Sequence, residues 1–172
     1  MELWDSWIAI GLISAAAWGL SCVIDVCFVA DGIYREPLDG ALVAGLFCIV
    51  PLLTSNGTAA VPDVDLHVAI VALLAGIFYL LHIYFYFKAL FALNDASNAE
   101  IFNTLTVLFV PVFAFFLLGE TLSPLHYFAI GLSIAGILVL VRFQFSSLTW
   151  RVAGLLGISV LFISLVMVMQ AW

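Results

Sequence analysis

Ser14, Trp18, Ser21 and Asp25 follow one another at intervals of four, three and four residues in the first apolar run. This is the spacing that returns to one side of an α-helix. A strip carrying hydroxyls, an indole N–H and a carboxylate inside an apolar segment can wall a polar cavity and hold a proton there. The alternative is an aspartate near a helix end that reaches headgroup water, and the sequence leaves both open. A second strip, Tyr79, His82 and Tyr86, lies on one face of a later run, with Tyr84 and Lys88 on another at i, i+4. Its rings can stack a flat or cationic ligand, or pack as an ordinary aromatic belt. Glu100, Asn103 and Thr104 share a face at the start of the next run, where a carboxylate also meets the positive end of the helix dipole. Asn103 and Thr106 are second-rank candidates for the same path.

An ionisable side chain at the centre of a bilayer costs about 2.5–3.5 kcal/mol on insertion scales, so Asp25, His82, Lys88 and Glu100 each demand a cavity or a partner. Lys88 has a stem long enough to snorkel to the interface, and His82 reads as a hydrogen-bonded core histidine or a proton carrier. Catalysis is not indicated. The sequence contains no His-Glu-x-x-His, no Gly-x-Ser-x-Gly and no phosphate-binding glycine loop, and Gly19-Leu20-Ser21-Cys22-Val23 lacks the closing glycine of a nucleophile elbow. Cys22, Cys27 and Cys48 lack ligand spacing and read as small core residues, so no metal and no cofactor is expected.

The elements that position these strips are set by composition. Of 172 residues, 66% are hydrophobic and 9% charged, and the mean hydropathy is +1.30. A soluble domain carries about 45–50% apolar and about 25% charged residues, so the solvent of this chain is lipid. A net charge of −7, from 11 acidic and 4 basic residues, offers no footprint for nucleic acid and no polybasic patch for headgroups. A bilayer core of about 30 Å takes about 20 apolar helical residues. Windows of that kind, separated by polar punctuation, fall at residues 7–29, 38–53, 66–93, 99–118, 125–143 and 152–172. The second is the shortest and carries Pro51 near its end. The runs are continuous and too long for barrel strands, so the fold expected is all-α, a polytopic membrane bundle of about six transmembrane helices. The acidic flank of the first run, Glu2 and Asp5, is unlike the basic start of a cleaved signal.

Arg35, Lys88, Arg142 and Arg151 all fall on one side of such a bundle, which places those loops in the cytoplasm and the N-terminus outside. Asn56-Gly57-Thr58 is then an outer tripeptide, a polar turn that also fits a glycosylation sequon. Setting Trp7 on Trp150 also sets Gly11 on Gly154, Leu12 on Leu155, Ser21 on Ser164 and Val23 on Val166. The sixth run therefore reads as the start of a second copy. A repeat of five crossings enters the membrane from the opposite face the second time, the inverted design of many secondary transporters. The expected division is residues 1–145, a five-helix repeat, and 146–172, the first helix of a second repeat cut short. Gly131, Ala135 and Gly136 form a small-residue face for helix packing, and Pro111 should kink the fourth span.

Lys88-Ala89-Leu90, Ala96-Ser97-Asn98-Ala99, Pro111-Val112, Leu118-Gly119-Glu120-Thr121-Leu122-Ser123, Gly131 and Gly136, together with Trp18-Gly19, resemble in order and spacing the EamA-type domain of the drug/metabolite transporter superfamily. The likeness covers about residues 7–143. It implies one half of a ten-helix, inverted-repeat transporter of small metabolites, with an N-terminus inside, opposite to what the basic residues indicate. It also implies structural roles for Gly119 and Glu120 at the turn between spans four and five, and for Pro111 in the kink. The function expected is a secondary transporter or exporter of a small polar or amphipathic metabolite, working by alternating access. Trp18, Ser21, Asp25, Tyr79, His82, Tyr86, Asn103 and Thr106 would line the path. The rival is a non-transporting membrane subunit or scaffold. Partners expected are a small-molecule substrate, the lipid of a cell membrane (plasma or inner), and a second half-unit or a homodimer, without nucleic acid.

Overall fold

The computed structural model describes residues 3–47, 65–93, 96–141 and 149–170. Among the described residues the chain is helical, with no strand: α1 (Leu3–Ala30), α2 (Pro37–Phe47), α3 (Leu66–Leu93), α4 (Ala96–Asn103), α5 (Thr106–Leu118), α6 (Pro124–Val141) and α7 (Trp150–Met169). The helices α4 and α5 are two parts of one apolar segment, so the seven helices occupy the six expected runs. Among the described residues four segments are long and apolar enough to cross a bilayer: Ala9–Ala30, Leu66–Leu93, Asn98–Leu118 and Trp150–Met169. Most of their surface is turned outward, as befits a bundle whose solvent is lipid. Cys48, Pro51, the Asn56-Gly57-Thr58 tripeptide, Arg142 and the last two residues lie outside the described residues.

The centre of the bundle is the antiparallel pair α3 and α7. Leu90 of α3 and Leu156 and Val160 of α7 are fully buried, and Phe162 stacks on both Phe78 and Phe85 at centroid distances of 5.7 and 6.0 Å. A polar clasp joins the same two helices. The Ser159 hydroxyl lies 2.8 Å from His82 Nδ1 and 3.1 Å from the His82 carbonyl, while Nδ1 also lies 3.0 Å from the Ser159 carbonyl. A protonated Nδ1 donating to Ser159, with the hydroxyl donating to the His82 carbonyl, satisfies all three contacts. The helix that the repeat reading assigns to a second copy thus shares one core with the first: Val152 and Leu156 join Tyr34, Ala41, Phe87 and Ala89 in it.

Between α1 and α2 the chain turns through Gly32, whose φ of +68° favours a residue without Cβ. Asp39 then accepts the backbone N–H groups of Arg35 and Glu36, at 2.8 and 3.0 Å, and Pro37 opens α2 with its missing N–H at the position that needs none. The turn is anchored inward by Tyr34, edge-on to Phe28 at 5.3 Å and to Phe87 at 5.5 Å. Tyr34, Ala89, Leu90 and Val152 share one core, so the neighbouring Arg35, Lys88 and Arg151 fall toward the same end of the bundle.

Span four, expected as one helix, is interrupted at Thr104 and Leu105, and Pro111 lies within α5. The reason is local bonding. The Thr104 hydroxyl bonds back to the Glu100 and Ile101 carbonyls at 2.9 and 3.0 Å. The Leu105, Val107 and Leu108 N–H groups then reach only three residues back, a tightened turn of the kind that marks hinges. Leu105 keeps φ −64° and ψ −12°, so the segment is tightened without being severed. Gly131 and Gly136, expected on a helix-packing face, have nothing among the described residues within 4 Å of where a Cβ would sit. Their helix α6 makes its main contacts with α4 and α5, and Gly131, Ala135 and Gly136 are exposed. At the other end of α5 Gly119 adopts φ +69° and its backbone N–H donates to the Phe115 carbonyl at 3.1 Å, while the Glu120 backbone N–H donates to the Ala114 carbonyl at 3.3 Å.

One close contact escaped the sequence reading. A Cβ on Gly40 would lie 2.6 Å from the ring of Phe87, which is 2% exposed and has no room to retreat. Gly40→Ala should therefore destabilise the α2–α3 contact by about 1–3 kcal/mol, the usual cost of overpacking. Thermal melting in detergent should show the loss, and Phe87→Leu in the same chain should recover part of it; equal melting of Gly40→Ala and the native chain would disprove the contact.

Candidate functional site

A cavity of about 790 Å³ opens between α1, α2, α3 and α4, within the range of small-molecule sites. Of the eight residues expected to line a path, Trp18, Ser21, Asp25, Tyr79, His82, Tyr86 and Asn103 lie on its wall. Thr106 does not: it begins α5, beyond the tightened turn. The α1 strip reaches the cavity because its four- and three-residue spacing holds it on the helix side turned toward α3 and α4. On α3 the Tyr79, His82 and Tyr86 face does the same, with ring centroids 6.1 and 6.2 Å apart. The other α3 face carries Lys88 away from it, with Nζ 5.5 Å over the Tyr84 ring.

The centre of the site is Glu100, one of the four ionisable residues expected to need a cavity or a partner and left out of the expected path. Its Oε1 accepts from the Tyr86 hydroxyl at 3.0 Å, from Cys22 Sγ at 3.2 Å and from Asn103 Nδ2 at 3.4 Å. Its Oε2 takes a long contact from Trp18 Nε1 at 3.5 Å. Donors from α1, α3 and α4 thus converge on one carboxylate. Cys22, which read as a small core residue, is buried and serves as one of these donors. A signal was present: Glu100 and Asn103 are three residues apart, as are Trp18 and Ser21, and each pair faces one way. Nothing in one dimension said that these faces meet.

Asp25 is half-buried on the same wall, one turn along α1 from Cys22. By helix rise it lies about 7 Å inside the end of α1, and Glu100 about 6 Å inside the start of α4. Tyr34, in the α1–α2 turn, closes this end of the cavity. Its phenol is held above the usual range by burial and then by the Asp25 carboxylate. Among the described residues no lysine or arginine lines the cavity. Asn103 Oδ1 is shielded from solvent and has no hydrogen-bond partner. Among the described residues no cluster of three or more potential metal ligands occurs.

Lipid-facing helices around a largely apolar cavity that holds a few ionisable groups define an integral membrane protein that keeps such groups where they are costly. The chain belongs to the EamA-like transporter family, whose model matches residues 5–142. No curated protein and no solved structure gives a significant match. Family and fold together make this a polytopic helical membrane protein of a transporter family.

Removing the hub should be costly for the fold. Glu100→Ala leaves the Tyr86, Asn103 and Cys22 donors unpaired, which should lower stability by about 1–3 kcal/mol, whereas Glu100→Gln keeps an acceptor oxygen and should lose less. Melting of the purified variants in lipid nanodiscs checks the order, and an unaltered Glu100→Ala would show that the donors do not depend on this carboxylate.

Proposed function

We propose that this chain moves a small polar or amphipathic metabolite across the membrane by alternating access, with the cavity between α1, α2, α3 and α4 as the solute path. The observation that carries this reading is the convergence of Asp25, His82, Glu100 and Asn103, from three membrane helices, on one cavity of small-molecule size. Structural packing gives no return on such groups: each ionisable residue costs several kcal/mol in lipid unless a cavity or partner receives it. A scaffold would be better served by an apolar interior.

Membership of a transporter family supports the same reading. So does the tightened turn at Thr104 and Leu105, directly after the cavity residues Glu100 and Asn103, because a weakened point in a membrane helix lets its two parts move separately. Gating at this point would change the wall of the cavity without disturbing the α3–α7 core. The His82–Ser159 clasp belongs to that core and keeps one side of the cavity fixed while the α4 side moves.

Reconstituted vesicles test the proposal. Preloaded solute should exchange with labelled external solute in protein-containing vesicles and not in empty ones. If a proton gradient drives uptake, Asp25→Asn or His82→Gln should abolish the dependence on that gradient while exchange at equal pH persists. Gradient-driven uptake that survives both substitutions would remove these two residues from coupling, and absence of any exchange across a panel of amino acids, amines, nucleosides and sugars would overturn the transport reading.

A further inference from the structure

We infer that the solute taken by this cavity is a small organic cation with an apolar body. The inference rests on the reading of the cavity as the solute path and adds the chemistry of its occupant. Two carboxylates from different helices, Asp25 of α1 and Glu100 of α4, share the cavity, and among the described residues its lining includes no lysine or arginine. The described basic residues are placed elsewhere: Lys88 lies over Tyr84 on another face of α3, and Arg35 and Arg151 are exposed. The described wall thus leaves its negative charge for a cation or a proton that enters. In a surrounding of low dielectric two carboxylates without a protein counter-ion favour a cation strongly and an anion not at all.

The rest of the lining fits the same occupant. The two carboxylates are acceptors that match an ammonium or guanidinium group carrying only donors. Trp18, Tyr79, Tyr86, Tyr34 and Phe28 supply aromatic surface around this polar end. Ring faces attract cations and also receive apolar substituents. Glu100 Oε1 is already occupied by three donors, whereas Oε2 has only the long Trp18 contact. The oxygen open to a ligand thus sits beside an indole ring. An anionic metabolite would meet carboxylates where it needs positive charge or donors.

The test is equilibrium dialysis of labelled benzylammonium against nanodiscs that hold the full chain, with empty nanodiscs subtracted and with phenylacetate and benzyl alcohol as the anionic and neutral counterparts. The expected result is saturable binding of the cation alone, weakened about tenfold or more by Glu100→Gln, the factor that about 1.4 kcal/mol of lost attraction gives. Asp25→Asn should act in the same direction and carries the test if Glu100→Gln does not fold. Comparable binding of phenylacetate or benzyl alcohol, no saturable binding of the cation, or full affinity in folded variants of both carboxylates would each overturn the inference. The transport reading fails separately: vesicles that exchange a neutral or zwitterionic solute but no cation refute only the cationic class, whereas vesicles that exchange nothing refute transport itself.

Discussion

A carboxylate placed among membrane helices has to be answered by donors, and Glu100 is answered by three helices at once. Tyr86 reaches it from α3, Cys22 and Trp18 from α1, and Asn103 from its own α4. This requirement explains why α1, which has few close contacts elsewhere in the bundle, still turns one face toward α3 and α4. It also explains why the segment containing Glu100 ends its first helix so soon. Asn103 bends back to the carboxylate, Thr104 bonds to the Glu100 carbonyl, and the next turn tightens. The site and the interruption of span four thus have one local origin.

Around this polar centre two kinds of packing divide the work. The α3–α7 pair is the rigid part, with Leu90, Leu156 and Val160 excluded from solvent and the His82–Ser159 clasp fixing its register. A misregistered pair would leave a buried imidazole and a buried hydroxyl unmatched, so the clasp selects one alignment from several that apolar contacts alone would accept. The α1 and α6 helices are the outer part and show most of their surface. In water those faces would be a liability; in lipid they are solvated by the acyl chains, and helix association gains little from hiding them. Small residues such as Gly131 and Gly136 leave the α6 face smooth, while Gly40 is used inside the chain, where the ring of Phe87 lies against its backbone.

The cavity owes its character to which faces meet. Each wall is ordinary by itself: a polar strip on α1, an aromatic strip on α3, the start of α4. Brought together, they make a compartment rich in acceptors and aromatic rings, with Tyr34 from the α1–α2 turn at one end. Lys88 shows how narrowly this is set. It is two residues from Tyr86, yet the helix turns it to Tyr84 and away from the carboxylates, so the negative charge of the site is left for a ligand or a proton to meet.

Much of the architecture was legible in one dimension because the bilayer imposes a simple rule. Long apolar runs between polar punctuation become helices, and their positions at residues 66–93 and 99–118 agree with the structure almost to the residue. Helical periodicity also placed Trp18, Ser21 and Asp25 together, and Tyr79, His82 and Tyr86 together, since faces follow from spacing within one element. The dominance of Glu100 was not legible, nor were the burial of Cys22 against it and the contact of Gly40 with Phe87. These depend on residues distant in the chain, and an apolar helix carries no mark of which neighbour its face will meet. Pro111 drew the expected kink because proline is conspicuous, while the interruption arose from a threonine whose side-chain bonds become decisive only in place. Sequence determined the solvent, the helices and the faces; tertiary structure decided which faces meet, because in a uniformly apolar chain a few polar contacts set the pairing.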